Sequence, residues 1–348
     1  MPRMKRLTGA ISMVLSLTLS LVLAGCGSST SANAQKPSVT IGYENAADPE
    51  MIAIEKNYFQ QYMHANVHLK YYSSGPAALD SLASGALQFM TVLGNPPVAT
   101  AIAKGVPLQV IWAQEQYTTG EGLVVRPSVT KLSQLEGQKV ALVTGSTSPF
   151  VLTALMHQDG IASSSITFEN MTPSEMVSAW TTKSINAAYV WSPFFNKMVQ
   201  AGGKALLYDK NAGSAAPIFN LAVVNSQWAA KNKSLVDGFI KAEAAGYAYT
   251  QANPTNAYTL MGKANQITAS SAQSQAAGLR FVSLSGQLSA SGGLGSGSSV
   301  ASSLVTKSLT SAAQYLYSQK AISSVPKDMA QYVNPTFVQQ VVNSGFSG

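Results

Sequence analysis

The sequence predicts an α/β fold. Three observations carry this prediction. Short β-rich runs alternate with helical stretches from residue 39 onward. Four of those runs end in a small polar residue followed by proline. About 310 residues remain after a polar tether, enough for two lobes. In chain order, Val39 to Tyr43 is a first strand, Met51 to Tyr62 a helix and Val67 to Tyr72 a second strand. Leu79 to Ala86 is helical, Gln88 to Leu93 a strand, Pro97 to Lys104 a helix and Leu108 to Ala113 a strand.

The four junctions are Ser73-Ser74-Gly75-Pro76, Gly94-Asn95-Pro96-Pro97, Gly145-Ser146-Thr147-Ser148-Pro149 and Ser192-Pro193. Ser and Asn are preferred N-caps. Proline suits the first helical turn because its missing N–H is unpaired there in any residue. In open α/β sheets such junctions lie at the carboxyl ends of the strands, where ligands bind. A helix start offers free N–H groups and about half a positive charge. Several starts aimed at one cleft hold an anion without any Arg or Lys. Single Ser-Pro or Asn-Pro steps are ordinary helix starts, so only convergence in space gives them this role.

The N-terminus reads as an export signal. Arg3, Lys5 and Arg6 precede an apolar run from Leu7 to Ala24. The run ends in Leu23-Ala24-Gly25-Cys26, which looks like a bacterial lipobox. That pattern implies cleavage after residue 25, a diacylglycerol on Cys26 and anchoring to the membrane. Residues 26–36 form a flexible Gly/Ser/Thr/Asn/Ala/Gln tether. Cys26 is the only cysteine in 348 residues, which excludes an intrachain disulfide and a cysteine-based metal site. The formal charge is +7, of which three belong to the leader, and no Lys/Arg run occurs. Nucleic acid is therefore not an expected partner. Charged residues make up 11% of the chain, against about 25% in ordinary soluble domains. Sparse carboxylates fit an acidic medium and predict a stability flat from neutral to about pH 3.

The run from Ser178 to Pro193, with Ala179-Trp180 and Ala187-Ala188-Tyr189-Val190-Trp191-Ser192-Pro193 at its ends, resembles the taurine/alkanesulfonate/nitrate-type binding proteins of ABC importers, nearest the taurine branch. Further matches are Ser74-Gly75, Leu82-Ala83-Ser84-Gly85, Leu93-Gly94, Glu121-Gly122-Leu123-Val124-Val125, Gln331-Tyr332-Val333 and Phe337-Val338. The resemblance spans about residues 37 to 345. It implies a two-lobed periplasmic-binding-protein fold, type II-like, that closes on its solute about a hinge between the lobes. Lobe 1 is expected over 37–125 plus 221–348 and lobe 2 over 126–220. By position, the resemblance makes Ser74, Gly75, Asn95, Ser146, Thr147 and Ser148 the anion donors. It makes Trp191 and Tyr117 walls, and Glu121 and Asp48 acids that face an ammonium group. Where the taurine pattern has aspartate this chain has Asn220, which accepts from ammonium without the charge that strengthens the bond. Two ligand types follow: a sulfonate with a neutral or only weakly cationic tail, or an amine neutralised by Glu121 alone.

The implied partners are a small anionic solute, ABC permease subunits and, through Cys26, the outer side of the cell membrane. The protein is expected to be a monomer, with no cofactor and no metal. Nitrate, a thiamine-precursor pyrimidine and an aromatic acid are alternative solutes. An enzyme on the same fold would need a nucleophile or a metal array. The single Cys and the scattered His64, His68 and His157 supply neither. His64 and His68 straddle a helix end and a strand. Trp112, Trp180 and Trp228 read as packing residues, as do Met156, Met171, Met176 and Met198. Ser283 to Ser303, centred on Ser291-Gly292-Gly293-Leu294-Gly295-Ser296-Gly297, reads as an exposed loop without the Lys of a phosphate-binding loop.

Overall fold

The computed structural model describes residues 36–348. The expected leader, Cys26 and all of the tether but Lys36 lie outside the described residues. No helix among the described residues is long and apolar enough to cross a membrane.

The chain begins with β1 (Ser38–Tyr43), α1 (Pro49–Glu55), α2 (Tyr58–Met63), β2 (Asn66–Tyr71), α3 (Gly75–Ala83), β3 (Phe89–Gly94), α4 (Asn95–Ala103) and β4 (Leu108–Tyr117). It crosses into β5 (Glu121–Val125), β6 (Lys139–Leu142), α5 (Thr147–Gln158), β7 (Thr167–Asn170), α6 (Pro173–Thr181), β8 (Ala187–Trp191), α7 (Phe194–Gln200) and β9 (Lys204–Tyr208). It returns through β10 (Phe219–Asn225), α8 (Ser226–Lys231), α9 (Lys233–Ala252), α10 (Pro254–Ala264), α11 (Ala269–Ala276), β11 (Leu279–Phe281), α12 (Leu304–Ser318) and α13 (Thr336–Asn343).

The strands form two sheets, ordered β11-β4-β10-β3-β1-β2 and β7-β6-β8-β5-β9. In the first, β1 runs parallel to β2 and β3, while β10 is antiparallel to β3 and β4. In the second, β6 runs parallel to β7 and β8, while β5 is antiparallel to β8 and β9. Each lobe thus has its own sheet, and the helix-starting junctions follow the parallel strands. Phe89 stacks on Phe239 at 4.3 Å between ring centroids, and Phe59 on Phe239 at 5.3 Å, so α9 is riveted to the first sheet. Burying an aromatic of this size is worth about 2–3 kcal/mol.

Four expectations need correction. The lobe boundary is not at 125/126, because β5 pairs with β8 and β9 and belongs to the second lobe. The chain crosses at Thr118–Gly120, where all three N–H groups converge on the Gly278 carbonyl and end β4. The return crossing likewise precedes β10, so Phe219 and Asn220 belong to the first lobe. The helix expected over 51–62 is broken at Asn57, which takes a left-handed φ of 57° that asparagine tolerates. The Gly-rich segment is buried at Gly292–Gly295. A Cβ on Gly293 would meet the Gln287 backbone at 2.6 Å, and Gln287 in turn pairs with both backbone groups of Ala113 on β4. Glycine there permits close packing onto the sheet. His64 ends α2 and His68 lies in β2, as expected. Trp180 is packed under the Arg126 guanidinium at 3.8 Å.

Candidate functional site

A cleft with about 390 Å³ of space between atoms, part of it open to solvent, has walls from both sheets. The first lobe contributes Glu44, Asn45, Gly75, Val92, Gly94, Pro97, Tyr117 and Asn220; the second contributes Glu121, Ser146, Thr147 and Trp191. None of these side chains is a Lys, Arg or His.

Three helix starts meet at this cleft. Ser74 is the extended residue before α3, Gly94 precedes α4 and Ser146 precedes α5, accepting from the Ser148 N–H at 3.2 Å. Their approach is close across the lobes. A Cβ on Gly94 would meet Thr147 Cγ2 at 2.8 Å, and one on Gly145 would lie 3.7 Å from Pro76. Glycine at 94 therefore lets the α4 and α5 tips abut. The fourth junction departs from expectation. Pro193 itself precedes α7, which makes no side-chain cap, and only Trp191 from that junction lines the cleft.

Of the residues the sequence singles out, Gly75, Tyr117, Glu121, Ser146, Thr147, Trp191 and Asn220 line the cleft. Asp48, Ser74, Asn95 and Ser148 do not. Asp48 is fully buried as the N-cap of α1, accepts from the Met51 N–H at 3.3 Å, and borders a second, smaller cavity with Glu50, Gln114 and Glu243. It cannot face a solute in the cleft. Asn95 is the first residue of α4 rather than its cap. Its Nδ2 donates inward to the carbonyls of Pro217 and Ser308, at 3.3 and 3.2 Å.

The hydroxyls expected to hold an anion are already engaged. Thr147 Oγ1 and Ser148 Oγ donate to Glu121 at 2.7 and 2.5 Å, and Ser146 Oγ donates to the Val143 carbonyl at 2.7 Å. What remains for an anion is the backbone of the first turns. Glu121 is pushed up to about 7 by burial, against the hydrogen bonds from Ser148, Thr147 and Asp209. Asn220 Nδ2 donates to Glu115 at 2.6 Å and to the Tyr117 hydroxyl at 3.1 Å, which turns its carbonyl oxygen into the available acceptor.

Sequence reasoning missed Glu44 and Asn45, directly after β1. Burial, then the nearby Glu121 and Glu50, hold the Glu44 carboxyl well above the usual range. The available signal was its place at the carboxyl end of a parallel strand. The site so built sets the cation-free helix starts of α3 and α4 against two carboxyls, Glu44 and Glu121, the latter bonded to the hydroxyls in the first turn of α5. That polarity matches a small molecule with an anionic head and a donor-bearing tail.

A family model described as NMT1/THI5 like matches residues 46–257. The chain is 28% identical over 313 residues to the taurine-binding periplasmic protein of Escherichia coli (strain K12), covering 88% of this chain and 94% of that one. Among solved structures, the alkanesulfonate-binding protein SsuA from Xanthomonas axonopodis pv. citri, bound to MOPS, superposes with a TM-score of 0.71 at 16% identity, over 86% of this chain and 99% of that one. The periplasmic aliphatic sulphonate binding protein SsuA from Escherichia coli gives 0.69 at 18% identity, over 87% and 99%. These two likenesses establish the α/β periplasmic-binding-protein fold.

Proposed function

Because this chain belongs to the NMT1/THI5-like family, we propose that it is the solute-binding subunit of an ABC importer, held outside the cytoplasm by lipid on Cys26, and that it captures a small aminosulfonate such as taurine. The relative named for taurine and the neighbours named for sulfonates support the class of solute. The observation that carries it is the meeting of the α3, α4 and α5 starts at one cleft lined by no Lys or Arg. A sulfonate keeps its negative charge at any ordinary pH. Fixed N–H dipoles in a partly dried cleft stabilise it without a competing protonated side chain.

At the acidic end an incoming ammonium group would favour the ionised form of Glu44, which burial and the nearby Glu121 and Glu50 otherwise disfavour, and so supply on binding the charge that Asn220 lacks. An ammonium group on the solute would accept the field of Glu44 and Glu121 and donate to the Asn220 carbonyl oxygen. The role is binding without turnover: the Thr147 and Ser148 hydroxyls are committed to Glu121, so neither is poised as a nucleophile.

Calorimetric titration with taurine, ethanesulfonate and nitrate at pH 7.5 tests this. Taurine is expected to bind about tenfold or more tighter than ethanesulfonate, a difference of about 1.4 kcal/mol. Glu44→Gln should remove most of that margin. Equal affinity for the two sulfonates would exclude the amine part, and binding of nitrate alone would exclude the sulfonate. The anchor is tested by Cys26→Ser, which should release the protein from membranes; retention would overturn it.

A further inference from the structure

Val92 is a β-branched residue in the left-handed region, at φ +53°, inside β3. A bulky residue is rarely held there unless its surroundings impose it. The register explains the position: Leu93 faces Leu221 and Met90 faces Val223, so Thr91 and Val92 together oppose Ala222 alone. This is a β-bulge, and it turns Val92 toward the cleft two residues before the strand passes into Gly94 and the start of α4.

One side chain secures the bulge. Gln114 Oε1 accepts from the Val92 N–H at 2.5 Å, and its Nε2 donates to Glu50 Oε2 at 2.8 Å. Glu50 Oε1 lies 2.5 Å from Thr91 Oγ1, which is also 3.1 Å from the Gly42 carbonyl. Thr91 has one hydroxyl proton for two oxygens. Both contacts become hydrogen bonds when Glu50 carries a proton, donates to Thr91, and Thr91 donates to Gly42.

We propose that Gln114 is a positioning residue for solute binding: backed by Glu50, it clamps the Val92 bulge and so fixes one cleft wall and the entry to α4. The inference rests on the reading that this cleft takes the solute.

The surroundings of Glu50 make the clamp sensitive to pH. Asp48 from the α1 cap, Glu115 from β4, Glu243 from α9 and Glu44 from the β1 loop face it, and all are carboxyls. Tyr43 also lies within its field. Three cations on the elements packed around it are engaged elsewhere. Lys56 lies over the Tyr249 ring, Lys263 pairs with Glu55, and Lys241 lies over Phe346. A negative charge beside Glu50 would therefore have nothing to balance it, and a carboxyl at 114 would keep its proton.

Gln114→Glu tests the clamp, read by amide exchange at Val92 in the ligand-free protein and by taurine affinity. At pH 4.5 the new carboxyl is protonated, accepts from Val92 and donates to Glu50, so affinity should stay within about threefold of the parent. At pH 7.5 Gln114→Met, which neither accepts from Val92 nor donates to Glu50, should accelerate exchange at Val92, and lower affinity, by about tenfold or more. A second pair separates positioning from mere support. Adding Val92→Gly to Gln114→Ala should recover affinity lost in Gln114→Ala, because glycine takes a positive φ without a clamp. Unchanged Val92 exchange in Gln114→Met would overturn the proposal, as would a parallel loss of affinity and melting temperature that Val92→Gly does not relieve. Should the parent bind no sulfonate, the solute reading fails by itself, and exchange at Val92 still decides the clamp.

Discussion

The two lobes bury acid in different ways. In the first, Asp48, Glu50, Glu115 and Glu243 lie behind the cleft wall, and oxygens of Asp48, Glu115 and Glu243 have no donor. In the second, Glu121 stands on the cleft itself, taking the Thr147 and Ser148 hydroxyls, while Asp209 behind it accepts from the Tyr189 hydroxyl at 2.8 Å through one oxygen and leaves the other without a donor. Glu44 completes the set at the cleft rim. Seven of the fifteen acidic residues are thus buried, and no Lys, Arg or His is among the buried groups of the described residues. Buried carboxyls without a cation stay neutral or share protons. The first lobe uses them as hydrogen-bonding scaffold under the bulge, and the second uses one to fasten a helix start. The contrast shows where protonation helps: it supplies missing hydrogen bonds behind the first lobe's wall, whereas both Glu121 oxygens already accept hydroxyls that favour its ionised form.

The largest expected effect breaks both lobes at once. Burial pushes Asp48 up to about 6 and Glu121 up to about 7, from 3.8 and 4.5, and moves Glu50, Glu115, Glu243 and Asp209 in the same direction. A carboxyl with a raised folded pKa holds its proton more tightly in the folded state. Its stabilisation is complete below about pH 4 and is lost as pH rises through 6 and 7. Asp48 and Glu121 contribute about 3 kcal/mol each to that loss. Exposed Glu175, lowered by its bonds from Thr172, acts weakly in the opposite sense. Stability should therefore rise from pH 8 to pH 4 rather than stay flat, as composition alone predicts. Urea unfolding across that range checks it; a midpoint that falls with acid would contradict the protonated interior.

How much of this was legible follows from the range of the forces involved. The helix starts at Ser74 and Ser146 were readable because capping and proline geometry are local. Their meeting at one cleft depended on sheet pairing, which the resemblance supplied and residue patterns did not. The same non-local pairing misplaced the lobe boundary: Glu121 lies opposite Trp191, seventy positions away, and nothing near Val125 marks it. Asp48 was matched by position, through the resemblance, to an acid that faces an ammonium group, but capping α1 turns it away. Glu44 was marked only by its place after β1, and the Gln114 clamp by nothing, since burial of a charge and a positive φ at valine are set by neighbours distant in sequence.

The smallest effect gives the sharpest contrast between lobes. Ser146 and Ser74 occupy equivalent places before α5 and α3, and both are buried beside the cleft. Ser146 accepts the Ser148 N–H, whereas the Ser74 side chain makes no cap bond. An N-cap serine that bonds is worth about 1 kcal/mol over alanine, and one that does not is worth little. Ser146→Ala should therefore lower unfolding free energy by about 1 kcal/mol, and Ser74→Ala by no more than a few tenths. Denaturant titration of the ligand-free variants at pH 5 reads the difference, because there the neighbouring Glu121 is largely protonated in the folded state and its charge does not mask the cap. Equal losses would mean that the two helix starts are held alike. The fastening by Glu121, Thr147 and Ser148 would then account for the second lobe without the serine cap.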